Sequence, residues 1–528
     1  MPTPATIESV AGFLSLAQLA EIKARNCPTK PAIFLEHESP ITFGAVFNEA
    51  LHLAASLHRL GLRQGDVVSF QLPNWRETAV IDIACCWLGL VINPIIPIYR
   101  EREVGHILSD CGAKAVFILD QYRNFDHLHM IEGLRSQLPE LEHIILVRSE
   151  QSVDGVLHYQ SLLETSELPP SKVEVQPDDT KLIMYTSGTT GRAKAVHHSH
   201  RSLACAILNG VEGWSLDAED VMLMPSPVTH ITGYANGIEL PFFSDAKSAL
   251  MERWNVEDAL TYIDRVKATV CVSATPFLQE LVEAAENKQL KLPSLRAFAC
   301  GGASVPPTLI TRTAEVLENC QAFRVYGCTE APLVSVGFIE KDELNLAANT
   351  DGRILNWEVL VIDDQGRVLD PGQDGEIVVR GPAMMKGYGE AEQTRLAVDD
   401  QGYFHTGDIG HTTAEGAIVI TDRKKDIIIR GGENLSAREI EDVLHTHPLI
   451  VEAAVVAMPH ERLGEGVCAV LVTRDGSQPS LAELQLFLEE SKLAKQKWPE
   501  KLEYLTQMPK TASGKIKKDI LRKKIVPS

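Results

Sequence analysis

The first 330 residues alternate two hydrophobic patterns along the chain. Stretches with the periodicity of amphipathic helices are separated by short apolar runs with little polar alternation, at 66–72, 113–119, 143–147, 269–275 and 296–302. Strands that are covered by helices on both faces show such unbroken hydrophobicity, because neither face meets water. The pattern therefore predicts an α/β fold in which helices cover the β-sheets.

The pattern changes between about residues 350 and 422, where short β-type segments are separated by turn residues. The stretch EVLVIDDQGRVLDPGQDGEIVVRG, residues 358–381, contains two β-rich runs with Asp, Gly and Pro between them. Such an arrangement predicts a β-hairpin. Beyond Arg423 follow a strand-like run, the glycine-rich RGGEN and a helix that we expect to be capped at Ser436, with Glu439 three residues on.

The stretch AVIDIACCWLGLVINPIIPI, residues 79–98, is nearly long enough to span a membrane. Asp82, Asn93, Pro94 and Pro97 interrupt it, which disfavours a transmembrane helix. We expect instead a buried helix that ends near Gly89, followed by an extended segment bounded by prolines.

Length and charge narrow the classes of function. A chain of 528 residues is too long for one ordinary core, so two or more domains are expected. Lys and Arg number 50 against 71 Asp and Glu, a formal charge of −21. This balance argues against a general nucleic-acid or acidic-membrane binder, because phosphate backbones need basic surface. An anionic ligand must therefore be held by a local site.

The ten cysteines and the first residues predict a cytoplasmic protein. The cysteines are scattered and form no CxxC pair, which indicates reduced, packed thiols rather than a zinc site or a disulfide framework. The first ten residues carry no Lys or Arg ahead of an apolar run, so a secretory signal is not expected. The composition leaves a homodimer open.

One polar loop has the composition of a phosphate-binding site. The string YTSGTTGRAKA, residues 185–195, directly follows the apolar run 182–184. Glycines allow backbone N–H groups to converge on an anion, hydroxyls add donors and Lys194 adds charge. The string does not fit a Walker A loop. Taken alone, such a cluster of Gly, Ser and Thr is more often a flexible surface loop.

This string closely resembles the nucleotide-loop signature of the acyl-adenylate-forming superfamily, which includes acyl-CoA synthetases, luciferases and the adenylation domains of peptide synthetases. Other signatures of that superfamily follow in order: YGCTE (326–330), TGD (406–408), DRKKDIIIRGGEN (422–434) and PKTASGKI (509–516). The resemblance runs from about residue 30 to residue 524. The chain departs from the usual pattern at four positions, with Ala193 in place of Pro, Ala195 of Gly, Asp422 of Gly and Ala437 of Pro.

The resemblance implies a two-part architecture. Residues 1–424 would form a large N-terminal domain that binds AMP and the acyl group, made of helix-covered β-sheets plus a small β-barrel at about 350–422. Residues 425–528 would form a small, mobile α+β C-terminal domain. Lys425 would be the hinge about which that domain rotates between two half-reactions.

The resemblance also implies roles for individual residues. Lys515 would reach the carboxylate and the α-phosphate, Glu330 would hold Mg²⁺, and Asp408 and Arg423 would bind the ribose. Thr329 would donate to the α-phosphate. Lys194 and His230 would also take part in catalysis. The other positions implied to bind ATP or CoA are Thr186, Ser187, Gly188, Thr189, Thr190, Gly191, Lys194, Gly301, Gly302, Ala303, Tyr326, Gly327, Gly431 and Gly432. Taken singly, Asp408 reads as a turn residue and Lys515 as a solvated lysine in a basic tail.

The segment PSPVTHITGYANG, residues 225–237, resembles the family's substrate gate and places His230 there. A buried core histidine is the alternative reading. No Asp follows His230 to pair a substrate ammonium, which disfavours amino acids. With Tyr234, Ala299 and Ala303 nearby, the pocket is expected to be apolar. The run resembles the branch of short- and medium-chain acyl-CoA synthetases and cyclohexanecarboxylate–CoA ligase; aryl and larger polycyclic acids stay open.

These features predict an ATP-dependent carboxylic acid–CoA ligase that uses ATP, Mg²⁺ and coenzyme A. It would form an acyl-adenylate and then a thioester. One alternative keeps adenylation but delivers the acyl group to a carrier protein or another acceptor; the chain ends about 13 residues after Lys515, without a carrier domain. A non-catalytic binder of nucleotides or acyl groups is a third reading. The expected partner is a small carboxylic acid, with no nucleic acid and no stable membrane insertion.

Overall fold

The structure, a computed structural model, describes residues 13–151, 153–165, 167, 169–187, 193–302, 305–430, 433–511 and 515–525. Its helices are α1 (Leu16–Asn26), α2 (Phe43–Arg59), α3 (Glu77–Leu88), α4 (Glu101–Asp110), α5 (His127–Leu134), α6 (Tyr159–Leu163), α7 (His200–Gly213), α8 (Ile231–Gly233), α9 (Leu240–Phe243), α10 (Val256–Val266), α11 (Thr275–Asn287), α12 (Pro307–Val316), α13 (Leu344–Asn349), α14 (Ala391–Ala397), α15 (Ala437–Leu444), α16 (Leu481–Glu490) and α17 (Lys518–Ile525). A π-helical turn spans Tyr234–Glu239.

The strands are β1 (Pro31–Leu35), β2 (Ile41–Thr42), β3 (Val67–Gln71), β4 (Val91–Pro94), β5 (Ala113–Ile118), β6 (Gln121–Tyr122), β7 (Phe125–Asp126), β8 (His143–Leu146), β9 (Leu157–His158), β10 (Thr180–Ser187), β11 (Ala193–Ser199), β12 (Val221–Met224), β13 (Lys247–Leu250), β14 (Val270–Ser273), β15 (Ala297–Gly301), β16 (Gln321–Val325), β17 (Glu358–Ile362), β18 (Gly375–Arg380), β19 (Gly387–Tyr388), β20 (Phe404–Thr412), β21 (Ile418–Arg423), β22 (Ile428–Arg430), β23 (Glu433–Leu435), β24 (Ile450–His460), β25 (Gly464–Thr473) and β26 (Lys501–Tyr504).

Two large sheets make up the first part of the chain. One has the strand order β16-β15-β14-β12-β13-β1-β2, and the other β19-β11-β10-β4-β3-β5-β8-β9. The pairs from β16 to β1 and from β10 to β9 are parallel, whereas β2, β11 and β19 pair antiparallel with their neighbours. The five apolar runs coincide with β3, β5, β8, β14 and β15, so the prediction of helix-covered strands is confirmed.

The middle of the chain forms an antiparallel sheet with the order β17-β18-β20-β21. Its first two strands are the hairpin predicted for residues 358–381, with Glu358 opposite Arg380. A separate sheet follows in the order β23-β22-β25-β24, and β26 pairs with β25. In this last part, Ser436 caps α15 by accepting from the N–H of Glu439, as expected.

The hydrophobic stretch 79–98 folds as predicted. Helix α3 is buried along nearly its whole length and ends where Gly89 adopts a left-handed conformation with φ of 67°. Strand β4 then enters the parallel sheet beside β3. Within the described part of the chain, no helix is long and apolar enough to cross a membrane.

A buried cluster of charges lies beneath β10. The Lys181 ammonium donates to Glu239 Oε1 and lies 3.5 Å from Asp82 Oδ1, and these three side chains are at most 2% exposed. The Tyr234 hydroxyl donates to Asp82 Oδ1 over 2.7 Å. One cation thus faces two carboxylates in the core. Removing the lysine would leave the two buried carboxylates without a compensating charge, which is destabilising.

Candidate active site

The predicted site gathers at one edge of the first large sheet. Strands β12, β15 and β16 run parallel, so the segments that leave their carboxyl ends lie side by side. His230, Gly302 and Tyr326 follow these three strands in the chain. The topology alone therefore brings the predicted gate segment, the glycines predicted to bind the substrate and the YGCTE motif to one place.

The predicted phosphate loop lies between β10 and β11, which pair antiparallel with Thr186 opposite Lys194. Gly188, Thr189, Thr190 and Gly191 lie outside the described residues, and the backbone of Ser187 ends β10. The hairpin explains how an apolar run can lead directly into a polar loop. The buried strand β10 precedes these residues, and Lys194 lies on the neighbouring strand β11.

Asp408, the predicted ribose ligand, is held by two neighbours. The Tyr326 hydroxyl donates to Asp408 Oδ2 over 2.6 Å, and Arg423 Nε lies 3.0 Å from Asp408 Oδ1. Asp408 and Arg423 face each other across the β20–β21 ladder. Because a carboxylate offers about four acceptor positions, Asp408 can still accept from a ribose hydroxyl.

Lys515 reaches this site from the far end of the chain. Burial and the nearby Arg423 guanidinium lower the pKa of Lys515, while Asp408 and Glu330 lie close enough to oppose that shift. The Lys515 N–H donates to Thr511 Oγ1 over 3.0 Å, and Lys510 and Ile516 form a β-bridge. The site therefore has two cations, Arg423 and Lys515, converging beside two carboxylates.

Glycines make room for this convergence. Gly302 has φ of +81°, and a Cβ at that position would lie 3.6 Å from Lys515 Cε. A Cβ at Gly301 would lie 2.7 Å from the Val325 carbonyl oxygen, and one at Gly327 only 2.5 Å from the Leu333 nitrogen. Side chains at 301 and 327 would push neighbouring backbone apart, so the packing requires glycine there. Ala303 lies outside the described residues.

Glu330 is tied to Tyr388, a residue that the sequence analysis missed. The Tyr388 hydroxyl donates to Glu330 Oε1 over 2.8 Å, and Lys194 Nζ lies 4.9 Å from the centroid of the Tyr388 ring. Tyr388 thus links the lysine of the phosphate loop to the carboxylate of the YGCTE motif. Its position between Gly387 and Gly389 was the one signal in the sequence that could have marked it.

His198 is a second residue that the sequence analysis missed. Its Nε2 lies 2.7 Å from the Thr329 carbonyl oxygen, and its Nδ1 lies 3.0 Å from Ser202 Oγ. A carbonyl only accepts, so Nε2 carries the proton. Burial lowers the pKa of His198 to about 4, which keeps the ring neutral. This buried bond orients Thr329 and hence the YGCTE turn; the run of histidines at 197, 198 and 200 was its signal in the sequence.

His230 and Tyr234 have different surroundings. Burial, together with the positive charge of Lys515, lowers the pKa of His230 to about 4, which keeps the ring neutral. Tyr234 does not line an open pocket as expected. It is fully buried and its hydroxyl is directed to Asp82, because the core cluster there supplies a carboxylate acceptor.

The predicted hinge lies between the two last sheets. Lys425 is exposed in the turn between β21 and β22, and its carbonyl oxygen accepts from Arg522 Nη2 over 3.3 Å. Gly431 and Gly432, predicted to line the CoA path, lie outside the described residues.

The donors around Glu330 suit Mg²⁺. One carboxylate oxygen is bound to Tyr388, and carboxylate oxygen is a hard ligand of the kind that Mg²⁺ prefers. Mg²⁺ is usually held by one or two carboxylates together with phosphate oxygens, so Glu330 is compatible with a metal carried by a nucleotide.

Comparison with known proteins shows which family this chain matches and which proteins it is similar to. The sequence profile of a family described as AMP-binding enzyme matches residues 20–389, and that of the AMP-binding enzyme C-terminal domain matches residues 439–515. The medium-chain fatty-acid–CoA ligase of Escherichia coli (strain K12) is 35% identical over 524 residues, which cover 98% of this chain and 91% of the relative. The 2,3-dihydroxybenzoate-AMP ligase of Bacillus subtilis (strain 168) is 32% identical, with 90% of this chain and 87% of the relative covered.

One solved structure is also similar to this chain over nearly the whole length of both proteins. The structure of O-succinylbenzoate coenzyme A synthetase from Bacillus subtilis, in complex with ATP and magnesium ion, aligns with a TM-score of 0.81 and 26% identity. The alignment covers 96% of this chain and 98% of that chain.

Proposed function

The chain belongs to the family of AMP-binding enzymes and is an AMP-forming acyl-CoA synthetase that uses ATP, Mg²⁺ and CoA, and from this premise we propose that its substrate is an apolar carboxylic acid. The acid would be of medium chain length, alicyclic or larger and cyclic. The observation that carries the catalytic proposal is the position of the Lys515 side chain, whose Cε would lie 3.6 Å from a Cβ at Gly302 and whose ammonium is within range of the charges of Arg423, Asp408 and Glu330. Two distant parts of the chain converge there, as the joining of an acid to AMP requires.

The proposed chemistry begins with two anions. The substrate carboxylate attacks the α-phosphorus of ATP, a bond forms between carboxylate oxygen and phosphorus, and pyrophosphate leaves with the electron pair. Lys515 would lie between the carboxylate and the α-phosphate and offset their repulsion, since fixed cations in a water-poor site act strongly on developing charge. Arg423 and Asp408 would orient the ribose. Mg²⁺ held by Glu330 would neutralise phosphate charge.

In the second half-reaction, the CoA thiol attacks the acyl carbonyl and AMP leaves. The domain boundary at residues 424 and 425, and rotation about Lys425, belong to this proposal. The cytoplasmic location and the homodimer stay predictions.

The apolar character of the acid is supported by two observations. The E. coli relative that is 35% identical is named a medium-chain fatty-acid–CoA ligase. The gate segment 225–237 contains no acidic residue, and its Val228 and Ile231 are buried apolar side chains. An apolar acyl group would therefore meet apolar surroundings near His230.

A second candidate is an enzyme that adenylates the acid and delivers it to an acceptor other than CoA. The observation in its favour is the relative that is 32% identical and is named an AMP ligase. The two candidates differ in the product formed when free CoA is the only acceptor.

The test is a panel of short, medium, alicyclic, aromatic and polycyclic acids, each incubated with ATP, Mg²⁺ and CoA. Mass spectrometry is expected to detect acyl-CoA with medium-chain or cyclic apolar acids, at rates at least about tenfold above those for acetate or an amino acid, because a buried apolar group gains about 0.8 kcal/mol per CH₂. Reactions without CoA are the control. Acyl-AMP without acyl-CoA would favour the second candidate, and a clear preference for a polar acid would contradict the proposed substrate class.

We expect Lys425→Pro to slow the CoA step about tenfold more than ATP–pyrophosphate exchange. Proline fixes φ near −65°, so a turn that must change its backbone angles during rotation would be locked. Lys425→Ala is the matched control, since it removes the side chain and leaves the backbone free. The two half-reactions are measured separately, as exchange and as thioester formation from supplied acyl-adenylate. Equal slowing of both would remove the hinge assignment.

A further inference from the structure

The first turn of α15 is attached to the segments that precede Lys425 through three consecutive residues. The Ser436 hydroxyl donates to the Thr421 carbonyl oxygen over 2.8 Å, and the Ala437 N–H donates to Asp422 Oδ2 over 2.6 Å. Arg438 Nη2 lies 3.3 Å from Asp351 Oδ1. These contacts join the part of the chain that carries Lys515 to the part that carries Asp408 and Arg423.

The bond between Asp422 and Ala437, which we call the clasp, is the most buried of the three. Asp422 is 5% exposed and Ala437 is fully buried. The other carboxylate oxygen of Asp422 accepts from the N–H of Arg423 over 2.6 Å. One carboxylate therefore touches both the backbone of a nucleotide-site residue and the start of α15.

Both partners of the clasp are positions at which this chain departs from the pattern that it resembles. Glycine, which is frequent at position 422, has no acceptor side chain, and proline, which is frequent at position 437, has no N–H to donate. The hydrogen bond consequently exists only when both departures are present. Either one alone would leave a buried polar group without this partner, which is unfavourable.

We propose that Asp422 is a positioning residue that, through the Ala437 N–H, holds residues 425–528 in the arrangement that places Lys515 in the nucleotide site. This inference rests on the proposed rotation about Lys425. Hydrogen bonds to charged groups are among the stronger ones in proteins, and one of them shifts a two-state equilibrium by about tenfold or more. The clasp would therefore favour adenylation at the expense of the arrangement that serves the CoA step.

Ala437→Pro is the sharpest test, because it deletes the donor while leaving the helix intact. Ala437 is the first residue of α15, where proline is well tolerated, and Ser436 before it has extended angles, φ −73° and ψ 118°, that suit a following proline. We expect exchange to slow about tenfold. Thioester formation from supplied acyl-adenylate is expected to proceed at least as fast as in the unaltered enzyme.

Changes at Asp422 separate the clasp from a general structural role. Asp422→Gly is expected to resemble Ala437→Pro, and the double variant should be no slower in exchange than the slower single variant, since both remove the same bond. Asp422→Asn keeps an acceptor oxygen and is expected to retain most of the exchange rate. Additive slowing in the double variant, or equal slowing of both half-reactions, would overturn the proposal.

A measurement without substrates keeps the inference independent of the proposed function. Lys424 and Lys425 are exposed in the turn beside the clasp, so trypsin should cut there several-fold faster in Ala437→Pro than in the unaltered chain. Ala391→Pro, at the first position of α14, is the matched control and should change neither cleavage nor either half-reaction. An unchanged cleavage rate in Ala437→Pro would refute the proposed role of the clasp even if the enzyme is active. Absence of exchange with every acid would instead refute the proposed function, while cleavage still decides on the clasp.

Discussion

Replacing Lys515 with alanine is expected to slow ATP–pyrophosphate exchange by at least about 100-fold, the usual cost of losing one group that stabilises charge in the transition state. The Lys515 side chain lies next to Gly302 and within range of the charges of Arg423, Asp408 and Glu330, and its ammonium would offset the repulsion between carboxylate and α-phosphate. Thioester formation from supplied acyl-adenylate should proceed nearly unchanged, because that step does not join two anions.

The control for this variant is Lys517→Ala, which removes a lysine two residues further along the same segment. A Lys515→Ala enzyme that adenylates at the unaltered rate would refute the role. The pH profile is a second readout. Since burial and Arg423 lower the pKa of Lys515, the ammonium is lost at a lower pH than in a free lysine. Exchange should therefore decline as the pH rises through that lowered value, and Lys515→Arg, if active, should shift the decline to higher pH.

Lys181→Met is expected to destabilise the protein by about 3–5 kcal/mol, because it leaves Asp82 and Glu239 in the core without their cation. Asp82 Oδ2 and Glu239 Oε2 are buried without a hydrogen-bond partner among the residues that the structure describes, so little else compensates the charge. Denaturant unfolding followed by far-UV circular dichroism measures the loss. The loss should shrink as the pH falls, since burial raises the pKa of the Glu239 carboxyl, which therefore takes up a proton in the folded state before it does so in the unfolded chain.

Lys501→Met provides the comparison for Lys181→Met. Lys501 pairs with Glu503 at 2.8 Å, but both side chains are more than 40% exposed. The loss from this exposed pair is expected to be much smaller than the loss from the buried cluster, because water and salt screen exposed charges. Similar losses in the two variants would show that the buried cluster does not depend on its positive charge.

The local elements followed from the sequence because their causes are local. Apolar runs without polar alternation predicted β3, β5, β8, β14 and β15, and Gly89 marked the end of α3. The resemblance of five short motifs indicated the family and the identity of the residues that would meet ATP. In these cases the evidence lies in residue type and spacing within a dozen positions, which a linear sequence displays directly.

Contacts between distant segments were not predicted from the sequence. The bond between Tyr388 and Glu330 joins residues 58 positions apart, and the Tyr234 hydroxyl reaches Asp82 across 152 positions. Neither pairing carries a periodicity or a motif, so Tyr388 was overlooked and Tyr234 was assigned to a pocket wall. Only the packing of β19 against β11, and of the π-helical turn against α3, decides these partners.

The sequence by itself determined the class of chemistry, because reacting an acid with ATP demands particular donors, cations and glycines in recognisable order. It also showed Asp422 and Ala437 as two separate departures. Only the tertiary structure joined them in one hydrogen bond, and only it brought Lys515 across the chain to Asp408. Hydrogen bonds depend on distance and direction in space, and these are set by how sheets and helices pack rather than by separation along the chain.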